Sequence, residues 1–275
     1  RSGIKGSLAL PESLEYIGPS AFSSCSGLTG ELKFPSTLTS IGNNAFSGCK
    51  GFTGSLVLPD SVSSLGSYAF TSCSGFNGTL TLSNGLRSIP EYVFQNCSGI
   101  VGNLVIPDTV TSNIDRYAFS GMSSLNSLVI GSGVTTIGYY SLSGCRSLES
   151  ITFTGLKVPS ISVPVFSGMN SLKRIYVPSG VFADYVAKFS TDVPKMARIL
   201  SHDAPEDFLI IDNVLLSYQG AGGDVVIPED VISIASYAFS GCTEVTSVFI
   251  PDSVTSIASR AFQGCTGLTR INLPD

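Results

Sequence analysis

The apolar side chains of this chain recur with a nearly constant period. A phenylalanine returns about every 24 residues, and Leu142 fills the same slot in one repeat. The phenylalanines of this slot are Phe22, Phe46, Phe70, Phe94, Phe119, Phe166, Phe239 and Phe262. A period of this length is typical of solenoid proteins, in which every repeat forms one coil of a stack.

Each repeat also contains a short segment that predicts a β-strand. In Leu32-Lys33-Phe34 two apolar residues flank a variable one, which is the alternation of a strand with one buried face. The equivalent apolar pairs are Leu8/Leu10, Leu56/Leu58, Leu80/Leu82, Leu104/Ile106, Leu128/Ile130, Ile151/Phe153, Ile175/Val177, Val225/Ile227, Val248/Ile250 and Ile271/Leu273. Prolines such as Pro35 and Pro59 end several of these segments, because proline has no N–H to donate to a ladder.

The rest of each repeat predicts two further sides of a coil. Leu38 and Ile41 mark a second inward-facing corner. Ala45-Phe46 and Cys49 mark a third side, which we expect to be one helical or 3₁₀ turn. A unit this small cannot bury its own apolar side, so stacked neighbours must do so. The predicted fold class is therefore a repeat solenoid, rich in β-structure, whose short parallel strands stack in two blocks.

The repeated motif L-x-x-I-x-x-x-A-F-x-x-C-x-x-L-x-x-I-x-I-P resembles that of a known family. This is the BspA-like (Treponema-type) leucine-rich repeat family of bacterial cell-surface proteins, and the resemblance covers residues 1–178 and 224–275. Ser83, Gly131 and Thr154 depart from the pattern, because they replace the proline at the strand end. The resemblance implies a leucine-rich repeat fold, a location at the cell surface or outside the cell, and a role in adhesion.

The repeats are interrupted once, between Pro178 and Asp224. Apolar residues from Val181 to Phe189, after a candidate N-cap at Ser179, predict a helix that covers the open end of the first block. Two apolar runs around Asp212-Asn213 predict a hairpin. We therefore predict a leucine-rich repeat block over 1–178, a capping helix and linker over 179–205, and a β-hairpin with a second, truncated block over 206–275. Both chain ends fall inside a repeat, so we expect a longer protein.

The amino-acid composition mainly argues against particular classes of function. Charged residues make up 13% of the chain, against roughly 25% in an ordinary soluble domain. A net charge of -5 argues against a nucleic-acid partner, and no apolar run is long enough for a membrane span. One histidine and no tryptophan leave little of the commonest acid–base and metal-binding chemistry. The composition therefore argues against an enzyme.

The seven cysteines are the first candidates for chemistry, and all of them occupy one repeat position. They are Cys25, Cys49, Cys73, Cys97, Cys145, Cys242 and Cys265. Met122 and Met169 fill the same position in other repeats, which indicates a slot for a soft apolar group. We expect buried thiols rather than disulfides or a metal site, and we expect no cofactor.

The other polar candidates also favour structural roles. His202 lies beside Asp203, but a catalytic pair needs a nucleophile and an orienting scaffold, and the sequence indicates neither. Asp60 and Asp108 follow predicted strands, in a column that holds Asn84 in another repeat. That mixture predicts turn capping by side-chain oxygens. We predict no catalytic residue and no metal site.

The remaining candidate is a surface. One outward residue lies between the two inward residues of each strand, and these outward residues vary in chemistry while the inward ones hardly change. Seven of them form the candidate binding face: Lys33, Val57, Thr81, Val105, Val129, Thr152 and Tyr176. Solenoids use extended faces of this kind for binding, although half-exposed β-branched residues also simply suit strands.

From this face and the family resemblance we expect a non-catalytic protein that binds a protein or glycan ligand on a host or neighbouring cell. Two alternatives stay open. The chain is either a structural spacer or stalk that presents another domain, or a carbohydrate-binding or glycan-cleaving β-solenoid. Glycan cleavage requires clustered carboxylates on adjacent coils, which the outward strand positions lack.

Overall fold

A computed structural model describes residues 4–178, 181–189, 198–201, 207–211, 213–220 and 222–273. The chain divides into two compact units, Arg1–Ile199 and Leu200–Asp275. In both units short strands of successive coils pair in parallel, and the second unit also contains one antiparallel pair. The helix α1, spanning Phe182–Phe189, is the single α-helix among the described residues. The predicted fold class, a β-rich repeat solenoid, is confirmed.

Among the described residues, twelve strands lie within the first unit, a thirteenth crosses its boundary with the second, and α1 lies between the last two of these thirteen. In chain order they are β1 (Tyr16–Ile17), β2 (Ser40–Ile41), β3 (Leu56–Val57), β4 (Ser64–Leu65), β5 (Leu80–Thr81), β6 (Gly102–Ile106), β7 (Asn113–Ile114), β8 (Leu125–Ile130), β9 (Thr136–Ile137), β10 (Ser150–Phe153), β11 (Ser160–Ile161), β12 (Arg174–Val177) and β13 (Arg198–Ser201).

The strands predicted from the alternating apolar pairs form one side of the stack. β3 pairs with β5, and the order β6-β8-β10-β12-β13 makes a five-stranded sheet. The register joins equivalent inward residues of successive repeats, as in Leu104, Leu128 and Ile151. Stacking therefore buries the same position of every coil against the next.

The first two repeats lack the strands predicted at Leu8/Leu10 and Leu32/Phe34. Backbone pairing there is reduced to the isolated bridges Gly6 with Leu28 and Gly30 with Phe52. Leu32 is nevertheless buried. Apolar alternation specifies which side chains face the core, but it does not specify that the neighbouring backbones form a ladder.

The predicted corner is itself a second series of strands. β1, β2 and β4 form one three-stranded parallel sheet, and β7, β9 and β11 form another. Each strand has only two residues, and its second residue lies in or near the core, as Ile41 and Ile137 do. Two residues are too few to show an alternation, which is why the sequence pattern predicted a corner rather than a strand.

The third side is made of turns, so the expectation of one helical or 3₁₀ turn is wrong. Residues such as Tyr92 and Asn96 adopt left-handed backbone angles, each with φ 57. The N–H of Phe46 donates to the carbonyl of Ala69 (2.8 Å), and the N–H of Phe70 donates to the carbonyl of Val93 (2.9 Å). These N–H groups bind the next coil, whereas a helix would have kept them for its own carbonyls.

The recurring phenylalanines form a continuous stack in the core of the first unit. Ring centroids lie 5.1 Å apart for Phe22 and Phe46, 5.4 Å for Phe46 and Phe70, and 5.7 Å for Phe70 and Phe94. Phe119 continues the series 5.6 Å from Phe94. Offset ring stacking adds to the burial of apolar area at each step, so the core grows by one ring per coil.

The helix α1 packs against the last coils of the first unit. Its Tyr185 and Phe189 are buried, and their rings lie 5.1 Å and 5.4 Å from the ring of Phe153. The Tyr185 hydroxyl donates to the carbonyl of Gly155 at 3.2 Å. The apolar face of the helix therefore covers the core at this point, while the proposed N-cap, Ser179, lies outside the described residues.

Seven further strands lie in the part of the second unit that the structure describes. They are β14 (Phe208–Ile211), β15 (Val214–Tyr218), β16 (Gly223–Val226), β17 (Ser233–Ile234), β18 (Val245–Phe249), β19 (Ser256–Ile257) and β20 (Arg270–Ile271). β14 pairs antiparallel with β15, and β15, β17 and β19 continue that sheet in parallel. β16, β18 and β20 form the second sheet, and Tyr218, Phe239 and Phe262 stack in the core.

Candidate functional site

The strands of the first unit direct the candidate binding face outward. Leu104 and Ile106 are completely buried, and Val105 between them is 48% exposed. Val57 stands in the same way between buried Leu56 and Leu58 and is 50% exposed. Because successive side chains of a strand point to opposite faces, burial of the outer two exposes the middle one.

The structure brings four of the seven predicted residues into one continuous row. Val105 pairs with Val129, Val129 with Thr152, and Thr152 with Tyr176, on the adjacent strands β6, β8, β10 and β12. Val105 is exposed and the other three are half-buried. We call these four residues the outward row.

The other three predicted residues lie outside this row. Val57 and Thr81 pair with each other on the separate two-stranded sheet β3-β5. Lys33 lies in an irregular segment, where its ammonium forms an exposed ion pair with Glu31 at 3.1 Å. An exposed ion pair of this kind contributes little to stability. Lys33 differs from the outward row in its irregular backbone conformation and in its charged side chain.

Polar side chains border the predicted face and bind one another between coils. The Ser127 hydroxyl donates to the Asn103 side-chain oxygen at 2.9 Å, and the hydroxyls of Ser55 and Thr79 lie 3.2 Å apart. Such a border gives the face the arrangement of many binding patches, in which an apolar centre has a polar rim.

The same alternation continues in the second unit, where the sequence prediction named no site residue. Val226 and Phe249 are exposed and pair across β16 and β18. Their inward neighbours Val225 and Val248 are buried. The signal was present in the sequence, because both residues lie between the apolar pairs that predicted these strands.

A second surface feature was missed altogether. Tyr68, Tyr92, Tyr117 and Tyr140 stack ring on ring, with centroids 4.5, 4.8 and 5.2 Å apart. We call these four residues the tyrosine ladder. Each stands two residues before the core phenylalanine or leucine of its repeat and is half-buried. Recurrence of tyrosine at that one position was the signal in the sequence.

A charged pair lies beside the tyrosine ladder. The Arg116 guanidinium binds the Glu91 carboxylate at 2.6 Å, and its central carbon lies 5.6 Å from the Tyr92 ring centroid. Tyr139 is exposed and meets Tyr140 edge to face at 4.2 Å. Partial desolvation and the neighbouring Tyr92 raise the pKa of Tyr68, which favours its neutral form.

The cysteine column is structural, as the sequence predicts. All seven cysteines carry thiols; five are buried, while Cys242 and Cys265 are half-buried. The Cys73 and Cys97 thiols donate to the carbonyls of Phe46 and Phe70, each at 3.1 Å. Burial raises the pKa of Cys97 to about 12, and since the thiolate is the reactive form, such a thiol is a poor nucleophile.

The carboxylates that follow the strands cap turns of the next coil. One oxygen of Asp108 accepts from the Ser132 backbone N–H at 2.7 Å and from its hydroxyl at 2.9 Å. Asp60 accepts in the same way from the backbone and side chain of Asn84. These hydrogen bonds lower the pKa of both carboxyl groups, which stabilises the charged form and suits capping.

The described residues offer few other candidate sites for catalysis or for binding a metal or ligand. Within the described residues, no group of three or more His, Cys, Asp and Glu side chains is arranged to hold a metal ion. His202 lies outside the described residues. An open cleft of about 520 Å³ in the first unit lies between the loop around Leu156 and Lys157 and the α1 residues Asp184 and Lys188.

Across the described ranges, no helix has the length and apolar character that crossing a bilayer requires.

Comparison with protein families gives one clear match. The model of the BspA type leucine-rich repeat region matches in six copies, over residues 5–112, 88–192 and 210–275. No curated protein sequence matches the chain.

Several solved structures are similar to this chain. A leucine-rich repeat protein from Bacteroides ovatus has a TM-score of 0.50 and 22% identity, over 95% of this chain and 71% of that protein. A leucine-rich cell surface protein from Faecalibacterium prausnitzii has a TM-score of 0.43 and 24% identity, over 100% and 70%. The pneumococcal vaccine antigen PcpA has a TM-score of 0.36 and 21% identity, over 98% and 56%. The likeness to the Bacteroides ovatus protein shows a shared fold.

Proposed function

The chain belongs to the BspA-type leucine-rich repeat family, and on that premise we propose that it is a non-catalytic bacterial cell-surface or secreted protein that mediates adhesion. Its ligand is a protein or a glycan of a host or neighbouring cell. The candidate binding face contacts that ligand, with the outward row at its centre. Surface location and adhesion are what membership of the family suggests.

The observation that carries this proposal is the outward row itself. Val105 and Val129 stand on paired strands, with Val105 48% exposed, and Tyr176 ends the row. Apolar side chains left in water gain roughly 25 cal/mol for each Å² that a partner covers. Tyrosine is enriched in interface centres because it combines an apolar ring with a polar tip.

The row is also rigid. Backbone pairing holds its four residues one coil apart, and their inward neighbours, including Leu104, Leu128 and Ile151, are buried in the core. A preorganised surface loses little conformational entropy on binding, so more of the contact energy appears as affinity.

The test replaces the row and measures binding. The triple variant Val105→Glu, Val129→Glu and Tyr176→Glu is compared with the wild-type chain on immobilised matrix proteins and on a glycan array. Ile232→Glu is the matched control, because Ile232 is 49% exposed and lies outside the row. Circular dichroism of each variant establishes that it is folded.

We expect the triple variant to lose binding and Ile232→Glu to retain it, because buried carboxylates at an apolar contact are costly to desolvate. Binding that is equal in both variants removes the outward row from the site. If the wild-type chain binds nothing in either panel, the role of a spacer replaces adhesion. Hydrolysis of a glycan by the wild-type chain contradicts the non-catalytic part of the proposal.

A further inference from the structure

Within the tyrosine ladder, Tyr68 and Tyr92 have the shortest distance between ring centroids, an arrangement that no adhesive role requires. The rings of Tyr68 and Tyr92 are 4.5 Å apart at their centroids and 7° from parallel. Both residues have nearly the same left-handed backbone angle, φ 61 and φ 57. Their side chains therefore leave consecutive coils in the same direction, and both residues remain half-buried, so each is partly accessible to solvent.

The backbone on either side fixes this spacing. The Tyr68 N–H donates to the carbonyl of Glu91 at 3.1 Å, and the Phe70 N–H donates to the carbonyl of Val93 at 2.9 Å. Two backbone hydrogen bonds between the coils therefore lie within two residues of each tyrosine. Two groups held together in this way react as if each were present at a very high local concentration of the other.

We propose that Tyr68 and Tyr92 are a site of oxidative modification, at which a peroxide-consuming haem peroxidase joins the two rings as dityrosine. Each phenol loses one electron and one proton to give a phenoxyl radical. The two radicals couple through ring carbons ortho to the hydroxyls, and the proton on each coupled carbon then transfers through solvent to the oxygen of its ring, which restores both phenols. One C–C bond forms, two C–H bonds break, and one hydrogen peroxide is reduced to two waters.

The product is a covalent link between neighbouring coils of the solenoid. Tyr68 and Tyr92 are 24 residues apart in the sequence, so the link closes a loop of one whole repeat. A cross-link of this kind stabilises mainly by restricting the unfolded chain, as a disulfide does. The cysteine column does not supply such a link, because Cys73 and Cys97 are buried thiols bonded to backbone carbonyls.

The second unit provides an internal control. Tyr237 occupies the same repeat slot, with φ 64, and is 49% exposed. The next coil places Arg260 beside it, whose guanidinium donates to the Tyr237 hydroxyl at 2.7 Å and lies 5.9 Å from the ring centroid. Tyr237 is therefore more exposed than the ladder residues and has an arginine in place of the neighbouring phenol.

The sequence makes the product easy to map. Trypsin cleaves after Lys50, Arg87 and Arg116, so Tyr68 and Tyr92 are each the one tyrosine of peptides 51–87 and 88–116. Tyr117 lies on the following peptide. A mass spectrum of the cross-linked digest therefore identifies the joined pair without ambiguity.

The experiment treats the full chain, dilute enough to stay monomeric, with a haem peroxidase and hydrogen peroxide. After reduction with a thiol reductant, we expect dityrosine fluorescence in the monomer band, a joined pair of peptides 51–87 and 88–116, and a raised Tm. Tyr92→Phe keeps the stacked ring but removes the phenol, so it should lose the joined pair. Tyr237→Phe should leave the yield unchanged, and urea-unfolded chain should lose the joined pair.

The proposal is overturned if the joined peptides are absent from the folded chain, or if dityrosine forms only between molecules. It is equally overturned if the yield is the same in urea, because proximity in the fold would then play no part. Circular dichroism of Tyr92→Phe before oxidation confirms that its loss of cross-linking does not come from unfolding.

Discussion

Phe94 shows how one residue type builds the core of the first unit. It is completely buried and lies between Phe70 and Phe119, with centroid distances of 5.7 and 5.6 Å. Leu142 takes the same slot in another repeat and is just as buried. For this slot, a large apolar side chain therefore matters more than an aromatic ring.

From this we predict the effect of two substitutions at Phe94. Phe94→Ala leaves a cavity between two rings and should lower the free energy of unfolding by about 3–5 kcal/mol. Phe94→Leu keeps most of the volume and should cost about 1.5 kcal/mol or less. Urea denaturation followed by circular dichroism measures both. Equal losses for the two variants would contradict the assignment of volume as the main requirement.

The four tyrosines of the ladder have a left-handed backbone conformation, which has an energetic cost at each position. Tyr68, Tyr92, Tyr117 and Tyr140 all have positive φ, a conformation that costs a residue with a side chain roughly 1–2 kcal/mol. Ring stacking offsets that cost, together with a backbone hydrogen bond to the next coil from Tyr68, Tyr92 and Tyr117. Tyrosine at this position thus serves the fold as well as the surface.

At the scale of elements, the turns after the strands depend on charge. Asp108 accepts two hydrogen bonds from Ser132 of the next coil, and these lower its pKa. A carboxyl group whose pKa is lower in the folded state contributes stability above its unfolded pKa. That contribution is lost as the pH falls through the lower, folded value.

We therefore predict that Asp108→Asn is less stable than the wild-type chain at neutral pH. The difference should disappear once the pH has fallen below the lowered, folded pKa of Asp108, because both chains then carry an uncharged side chain at this position. The asparagine oxygen still accepts the Ser132 N–H, so the turn itself should persist. Thermal unfolding across this pH range measures the difference. Glu12→Asn is the comparison, since Glu12 occupies the same repeat position. A difference between Asp108→Asn and the wild-type chain that stays constant with pH would contradict the role of the charge.

At the scale of the whole molecule, the coils of a solenoid contact mainly their sequence neighbours. In the first unit the register joins each coil to the next, as in the run Val105, Val129, Thr152 and Tyr176. Stability in such proteins is the sum of terms for each repeat and for each contact between neighbours.

This dependence on neighbouring coils predicts which coils a core substitution destabilises. In Phe94→Ala, hydrogen exchange should accelerate most in the coils that contain Phe70 and Phe119, and least in those of Phe22 and Phe166. Mass spectrometry of amide exchange resolves these segments. Uniform acceleration over the whole first unit would contradict coupling between nearest neighbours and indicate a single cooperative core.

The repeat, the solenoid and the outward direction of Val105 were determined by the sequence alone. They follow from periodicity, because an interval of 23 to 25 residues between repeats brings equivalent residues into register, and alternation places the middle residue of each strand outward. Burial of the cysteines followed in the same way, since Met122 and Met169 share their slot.

The tertiary structure alone decided the features that depend on contacts between coils. The third side is made of turns because the N–H groups of Phe46 and Phe70 bind the following coil. The backbone ladder is absent at Leu32 although that residue is buried. The tyrosine ladder exists because the rings of separate repeats meet at 4.5 to 5.2 Å. A pattern along the chain specifies which residues are buried, but distances between coils are fixed only when the coils stack.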